Sequence, residues 1–297
     1  MAYQELHRPH VIFKMMERKW IEKLYSHGEL RFSAPEKWVQ CEKENGRGQG
    51  DKYEGVFAID VIGEDREEEF RKRYKKNLLV TEEGGKKFYQ LRKTLGWPTY
   101  CFYSLADQHF CCESEINNAG VYNFRTEITG YYFQDFARGR TAEEINLLPE
   151  DERPALLVIL GYDNIRLFVN KVRKALFKKY GITNSEFLFD QVVYDYSREC
   201  DKSYTSIREY PPKELFYKGK EFEYQREGRF VINSKKYWIS DCHSQYLDIE
   251  IGSMESYAKV VHEYTPEGLN FLVQAEISQI GEMKKRDGAV DWGYGGM

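Results

Sequence analysis

Short apolar and aromatic runs recur along the whole chain, cut apart by charged or glycine-bearing stretches, and this pattern limits the possible folds most sharply. His10 to Met15 (HVIFKM), Leu30 to Ser33, Tyr53 to Ile62 (YEGVFAIDVI) and Thr99 to Leu105 (TYCFYSL) read as strands. Val121 to Phe136 is expected to continue as strand, as are Gln191 to Tyr196, Glu223 to Ile232 (EYQREGRFVI), Lys236 to Ile239 and Gln245 to Ile251. Two segments instead carry the helical period. From about Met15 to Tyr25, residues Met16, Trp20, Ile21, Leu24 and Tyr25 share one face, and Gly28 supplies a stop. From Asp163, the stripe Ile165, Phe168, Val169, Val172, Ala175 and Leu176 predicts a helix that ends at Gly181. Helices and strands do not alternate one for one, so the predicted class is α+β.

The length of 297 residues suffices for one large core, and no Ser- or Pro-rich linker divides it, so 1–297 reads as a single domain. A charged insertion around 64–95 is expected to be helical and broken at Gly84-Gly85. Residues 40–54, with Gly46, Gly48 and Gly50, read as a flexible loop able to cover a cleft, and 285–297 as a flexible tail. The longest apolar run, Pro154 to Gly161, is too short to span a bilayer, and Met1 to Lys14 has no apolar signal region. The expectation is a cytoplasmic protein with no membrane partner. Six cysteines (41, 101, 111, 112, 200 and 242) contain no CxxC pair, so reduced thiols and no metal are expected. His109 beside Cys111-Cys112, and Cys242-His243, are read as structural rather than as a metal site or a Cys–His pair. No GxxxxGK[ST], helix-opening GxGxxG or HExxH is present. Aromatic residues make up 15% of the chain, which implies an aromatic core or a surface that stacks flat rings.

Chemistry concentrates in Phe13-Lys14, Leu30-Arg-Phe-Ser-Ala-Pro35 and Tyr224-Gln-Arg-Glu-Gly-Arg229. In that order they resemble the three signature elements of the ADP-ribosyltransferase superfamily: a basic or His residue on a first strand, an aromatic-Ser element on the next, and a Gln/Glu-x-Glu element on a late strand. The chain is more similar still to an uncharacterised prokaryotic branch associated with toxins and antiviral defence. That branch carries a Tyr-Lys strand, G-x-L-x-F-S-x-P, D-P-x-E-G, a Cys-Phe-Ser strand and Y-x-x-E-x-R. Here these appear as Phe13-Lys14, Gly28 to Pro35, Asp51 to Gly55, Cys101 to Ser104 and Tyr224 to Arg229. Two departures stand out: Lys14 replaces the more familiar Arg or His, and Ala34 lacks the hydroxyl of the third position.

The resemblance implies a split, mostly antiparallel sheet around a cleft with flanking helices, and an NAD-dependent ADP-ribosyltransferase. Such enzymes break a glycosidic bond through an oxocarbenium-like transition state, which a carboxylate stabilises. Glu227 takes that role. On a strand Gln225 would share its face and position the acceptor, with Glu223 as substitute if the register shifts. Lys14 and Ser33 would hold the donor. Phe32, Tyr53 and Tyr103, with Tyr100 and Phe102, are candidate rings for the nicotinamide. NAD is the implied co-substrate, a nucleic acid or protein the acceptor, and an antitoxin or inhibitor protein a further implied partner.

Net charge is −4, so nucleic-acid binding would need a local patch. Arg71, Lys72, Arg73, Lys75 and Lys76 form the candidate, continued by Lys86, Lys87, Arg92 and Lys93. The helix from 163 adds Arg166, Lys171, Arg173, Lys174, Lys178 and Lys179. Glu64 to Glu69 precede the first run, so a solvated helix with i,i+4 ion pairs reads the same way. The alternative function is a catalytically silent module on the same fold that binds nucleic acid or protein.

Overall fold

The computed structural model describes residues 9–45, 51–63, 66–106, 109–116, 121–137, 140–196, 213–237, 246–262, 268–276, 283–286 and 289–292. The fold is mixed α+β with mostly antiparallel sheets. Where the sequence suggests one domain, the chain groups into two compact units, each assembled from segments distant in sequence.

The first unit draws on 1–25, 103–168 and 254–297. Its central strand, Pro9–Glu17, pairs antiparallel with residues 103–106 of the strand Thr99–Ala106 and with Pro154–Leu160, which in turn pairs with Ala258–Val261. Pro154–Leu160 is apolar without alternation and is buried from 154 to 159, as expected of a strand covered on both faces. Phe13 stacks on Tyr103 at 4.6 Å between centroids. Gly268–Glu276, Val121–Thr129 and Cys111–Ile116 form a three-stranded antiparallel sheet. Val121 to Phe136 is not one strand: the ladder ends at Thr129, and Gly130–Ala137 turns helical to bury Tyr132 and Phe133. Thr141 and Glu144 form a reciprocal capping box on the helix Ala142–Asn146. Within the expected tail, Ala289–Trp292 pairs with Met283–Arg286, and 293–297 lie outside the described residues.

The second unit draws on 26–102 and 169–253. Glu29–Phe32 pairs antiparallel with Leu247–Glu250, and Gly28, at φ +69°, accepts from the Ile251 amide. A Cβ on Gly28 would lie 2.4 Å from the Gly252 carbonyl, so this stop also permits a close backbone approach. The helix predicted to begin near Met15 spans Arg18–His27, because the first strand runs on to Glu17. The 40–54 segment begins inside the helix Pro35–Asn45; 46–50 lie outside the described residues.

The insertion at 64–95 is only partly helical. The helix Glu67–Tyr74 is followed by the hairpin Leu78–Glu83 and Lys86–Leu91, turning at Gly84-Gly85, and by the short helix Arg92–Leu95. Val56–Val61 completes this sheet against Lys86–Leu91. Phe57, Phe70, Tyr74 and Tyr89 pack beneath it, and these apolar contacts prevail over the helical reading of the charged flanks.

Glu227–Ile232 pairs antiparallel with Phe187–Gln191 and on its other side with Thr99–Ala106, whose residues 99–102 belong to this unit. The strand is shorter than Glu223–Ile232. Lys220–Gln225 is a 3₁₀ helix capped by Arg226 in the left-handed region (φ 38°, ψ 51°), and the strand starts only at Glu227. Of the strand expected at Lys236 to Ile239, Lys236 and Tyr237 lie in the 3₁₀ helix Lys235–Tyr237, and 238–239 are outside the described residues. The last long helix, Tyr162–Tyr180, forms as predicted and contributes residues from Val169 onward to this unit.

Gly228 lies directly against the Phe102 ring, where a Cβ would stand 2.4 Å from Cε2. Phe102 is itself packed on Phe189 and Phe230 and cannot swing away. Gly228→Ala is expected to destabilise the protein by about 1–3 kcal/mol through overpacking. Adding Phe102→Leu should restore part of the loss in denaturant unfolding; equal stability of Gly228→Ala and wild type would refute the packing.

Candidate functional site: a buried ion network

Two of the motif segments converge in the second unit. Asp51 to Gly55 is a tight turn built by its own residues. Asp51 Oδ1 accepts from the Tyr53 amide at 2.8 Å, the Glu54 amide donates to the Asp51 carbonyl at 3.0 Å, and Gly55 adopts φ +70°. The Gln90 amide group donates to the Glu54 carbonyl at 2.7 Å and ties the turn to the neighbouring sheet. Glu54 therefore points its carboxylate inward at 1% exposure.

Its partner is Arg229, on the strand Glu227–Ile232 and fully buried. Arg229 Nη1 and Nη2 donate to the two Glu54 oxygens, the second at 3.1 Å. Nε and Nη2 donate to Glu227 Oε2 at 2.8 and 2.5 Å, and Nη1 also donates to the Leu215 carbonyl. All five guanidinium N–H groups are thus engaged. Glu227 and Arg229 reach one another because strand residues two apart share a face. Lys218, from the short strand Tyr217–Gly219, donates to Glu227 Oε1 at 2.9 Å and to Gln225 Oε1 at 2.5 Å, and sits 4.6 Å from the Phe222 ring centroid. The Glu227 amide donates to the Tyr194 hydroxyl at 2.8 Å.

Ser33 is joined to this network. Its backbone bridges to Thr99 in both directions, its hydroxyl accepts from Trp38 Nε1 at 3.1 Å, and the Trp38 ring lies 5.7 Å from Arg229 Cζ. Lys14 lies on Pro9–Glu17, in the first unit, opposite Leu157. Gln225 is brought to Glu227 as expected, but not by strand periodicity: it ends a 3₁₀ helix, is 5% exposed, and gives its carbonyl oxygen to Lys218 rather than presenting it to an acceptor. The proposed nicotinamide rings are core residues. Tyr53 is 1% exposed and stacks on Phe88 at 4.0 Å; Tyr103 and Phe32 are equally buried, as are Tyr100 and Phe102. The aromatic side chains that touch the network and keep some exposure are Trp38, Tyr194 and Tyr224. Lys218 carried no sequence signal; Arg229 was not singled out, although its i, i+2 spacing from Glu227 on one strand is the signal that would have found it.

The basic run at 71–76 is partly neutralised. Arg71 pairs with Glu67 at 2.5 Å and Lys72 with Glu68 at 2.8 Å, both i,i+4, and Arg73 lies over Tyr74. His109 Nδ1 accepts from the Ala106 amide, a structural use of the ring, while the side chains of Cys111 and Cys112 lie outside the described residues. Among the described residues no group of three His, Cys, Asp or Glu side chains is arranged to hold a metal, and no helix is long and apolar enough to cross a membrane. Comparison with family models, curated proteins and solved structures returns no match to this chain.

Electrostatics divides the acids of the network. Burial raises the Glu227 carboxyl, but the charges of Arg229 and Lys218 and their hydrogen bonds outweigh it and hold the group well below the usual carboxylate range. Burial likewise lowers Lys218, yet Glu227, Glu54 and Asp51 keep it charged. Asp51 goes the other way: burial first, then the Glu54 charge, push it up to about 6. Its Oδ2 has no hydrogen-bond partner. Three acids against two cations leave one surplus negative charge, which a proton on Asp51 removes.

The folded state therefore holds the Asp51 proton more tightly than the unfolded chain. Stability from this group is present below the usual carboxylate value near 4 and is lost as pH rises to about 6. Above that, the buried anion costs on the order of 2–3 kcal/mol. Asp51→Asn should raise the unfolding free energy at pH 7.5 and flatten its dependence between pH 4 and 6. An unchanged profile in chemical denaturation at several pH values would contradict this assignment.

Proposed function

We propose that this chain is an NAD-consuming, ADP-ribosyltransferase-like enzyme in which Glu227 stabilises the ribosyl cation. The observation that carries the reading is the meeting of Asp51–Gly55 and Tyr224–Arg229 in one network in which Asp51, Glu54, Lys218 and Arg229 are buried while the Glu227 side chain is 15% exposed. A carboxylate held ionised by buried cations, on a rigid strand, suits the stabilisation of developing positive charge. Arg226, in a left-handed conformation immediately before Glu227, adds the local backbone strain that accumulates at functional sites.

In the proposed reaction the bond between ribose C1′ and the nicotinamide nitrogen breaks. Its electron pair neutralises the pyridinium, and nicotinamide leaves. Glu227 stabilises the oxocarbenium, and an acceptor nucleophile of a nucleic acid or protein attacks C1′ and loses its proton to solvent. Gln225 then serves to seat Lys218 against Glu227. Ser33, whose hydroxyl accepts from Trp38, joins the second motif to the network through that ring. The split-sheet fold, the donor role of Lys14, a toxin or defence setting and an inhibitory partner protein are carried by the sequence resemblance.

One observation favours a second reading, a catalytically silent binding module: both Glu227 oxygens already accept hydrogen bonds from cations. Isotopically labelled NAD separates the two. Incubated with cell extract, wild type should release nicotinamide and label a protein or nucleic-acid fraction, and Glu227→Gln, folded by circular dichroism, should lose about 10²–10³ of that rate. Equal transfer by both proteins removes Glu227 from the reaction. No nicotinamide release by either supports the silent module.

A further inference from the structure

The helix Tyr162–Tyr180 carries a charge pattern that the network does not use. From 169 to 185 the sequence holds five cations, Lys171, Arg173, Lys174, Lys178 and Lys179, and no acid, in a chain whose net charge is −4. Lys171, Lys174 and Lys178 recur at i, i+3 and i+7, one face of a helix, with Phe177 beside them. Phe177 is 64% exposed, and Lys174, Lys178 and Lys179 are exposed as well. Cations in the last turn are commonplace, because they complement the helix dipole. Lys171 and Lys174 lie further back, where that explanation fades.

These charges differ from those at 71–76, where Glu67 and Glu68 answer Arg71 and Lys72. No carboxylate among the described residues pairs with Lys174 or Lys178. Lys171 and Lys179 also donate to backbone carbonyls, of Ser253 at 3.1 Å and Asp248 at 2.8 Å. Through Asp248 the surface continues across the strand Leu247–Glu250. Arg31 pairs with the Asp248 side chain at 2.8 Å and lies 4.8 Å from the Tyr246 ring, and Lys37 lies 3.7 Å from that ring. Tyr246 is 38% exposed.

We propose that this face, the C-terminal half of Tyr162–Tyr180 continued by Arg31, Lys37 and Tyr246, binds single-stranded nucleic acid. Cations track the phosphates, while the exposed rings of Phe177 and Tyr246 stack bases without regard to sequence. A duplex offers no base faces to those rings, and an acidic protein has no use for them in series. The surface uses none of the residues placed around Glu227, so the proposal holds whether or not the chain transfers ADP-ribose.

The test is fluorescence anisotropy with a labelled 20-nucleotide single-stranded RNA and its duplex, titrated at several salt concentrations with the full-length protein. Wild type should bind the single strand with a clear salt dependence. Lys174→Glu/Lys178→Glu should weaken it more than tenfold, and Lys174→Ala/Lys178→Ala should reduce the log–log salt slope by about 1.4, the value for two lost phosphate contacts. Phe177→Ala should weaken the single strand several-fold and leave the duplex unchanged. Lys72→Glu, on the paired segment, should have little effect. No binding at low salt, a larger loss from Lys72→Glu than from the helix pair, or equal losses on single strand and duplex from Phe177→Ala would overturn the proposal.

Discussion

The second unit depends on one buried guanidinium. Arg229 has no solvent contact, and its five donors are shared among Glu54, Glu227 and the Leu215 carbonyl. Only arginine offers a planar fork able to serve two carboxylates and a carbonyl at once. Taking such a charge from water is expensive, and the cost is offset only while every partner stays in place. The network therefore acts as a specificity device. It fixes how the 51–55 turn, the Lys213–Phe216 turn and the 227–232 strand meet, while the aromatic packing around Phe102, Phe189 and Phe230 supplies the apolar burial.

Much of this was legible in the sequence, for local reasons. Thr99–Ala106 is a strong strand former, and Tyr162–Tyr180 keeps its apolar stripe from Ile165 to Leu176, about three turns; Pro154–Leu160, read in the sequence only as a run too short to span a bilayer, is a strand as well. The errors fall where a contact distant in sequence decides. Leu78–Glu83 and Lys86–Leu91 have helix-compatible charges, but Phe88 and Tyr89 are claimed by Tyr53 and by Phe57 and Phe70, so the segment folds as a hairpin. Glu223 to Gln225 alternate like a strand, yet Gln225 turns inward to Lys218, and Arg226 takes a left-handed conformation to let it do so.

The candidate site was legible as residues more than as geometry. The motif at 51–55 carries physical content: Asp51 closes a turn, Glu54 meets Arg229, and Gly55 allows the left-handed backbone. Glu227 and Ser33 come into one neighbourhood through Arg229 and Trp38. Lys218 was hidden, since a single lysine in a polar stretch carries no periodic or spacing signal. The aromatic candidates lie in the core for a general reason: in a chain so rich in rings, those on the strongest strands are the ones the core takes.

The most direct test is a double-mutant cycle in which Glu54→Gln and Arg229→Met are made singly and together and unfolded in denaturant. The buried network predicts a loss of about 3–5 kcal/mol for each single change. It also predicts a double mutant that loses at least about 2 kcal/mol less than the sum of the two. Additive losses would contradict it, because they would mean that Glu54 and Arg229 stabilise the fold independently.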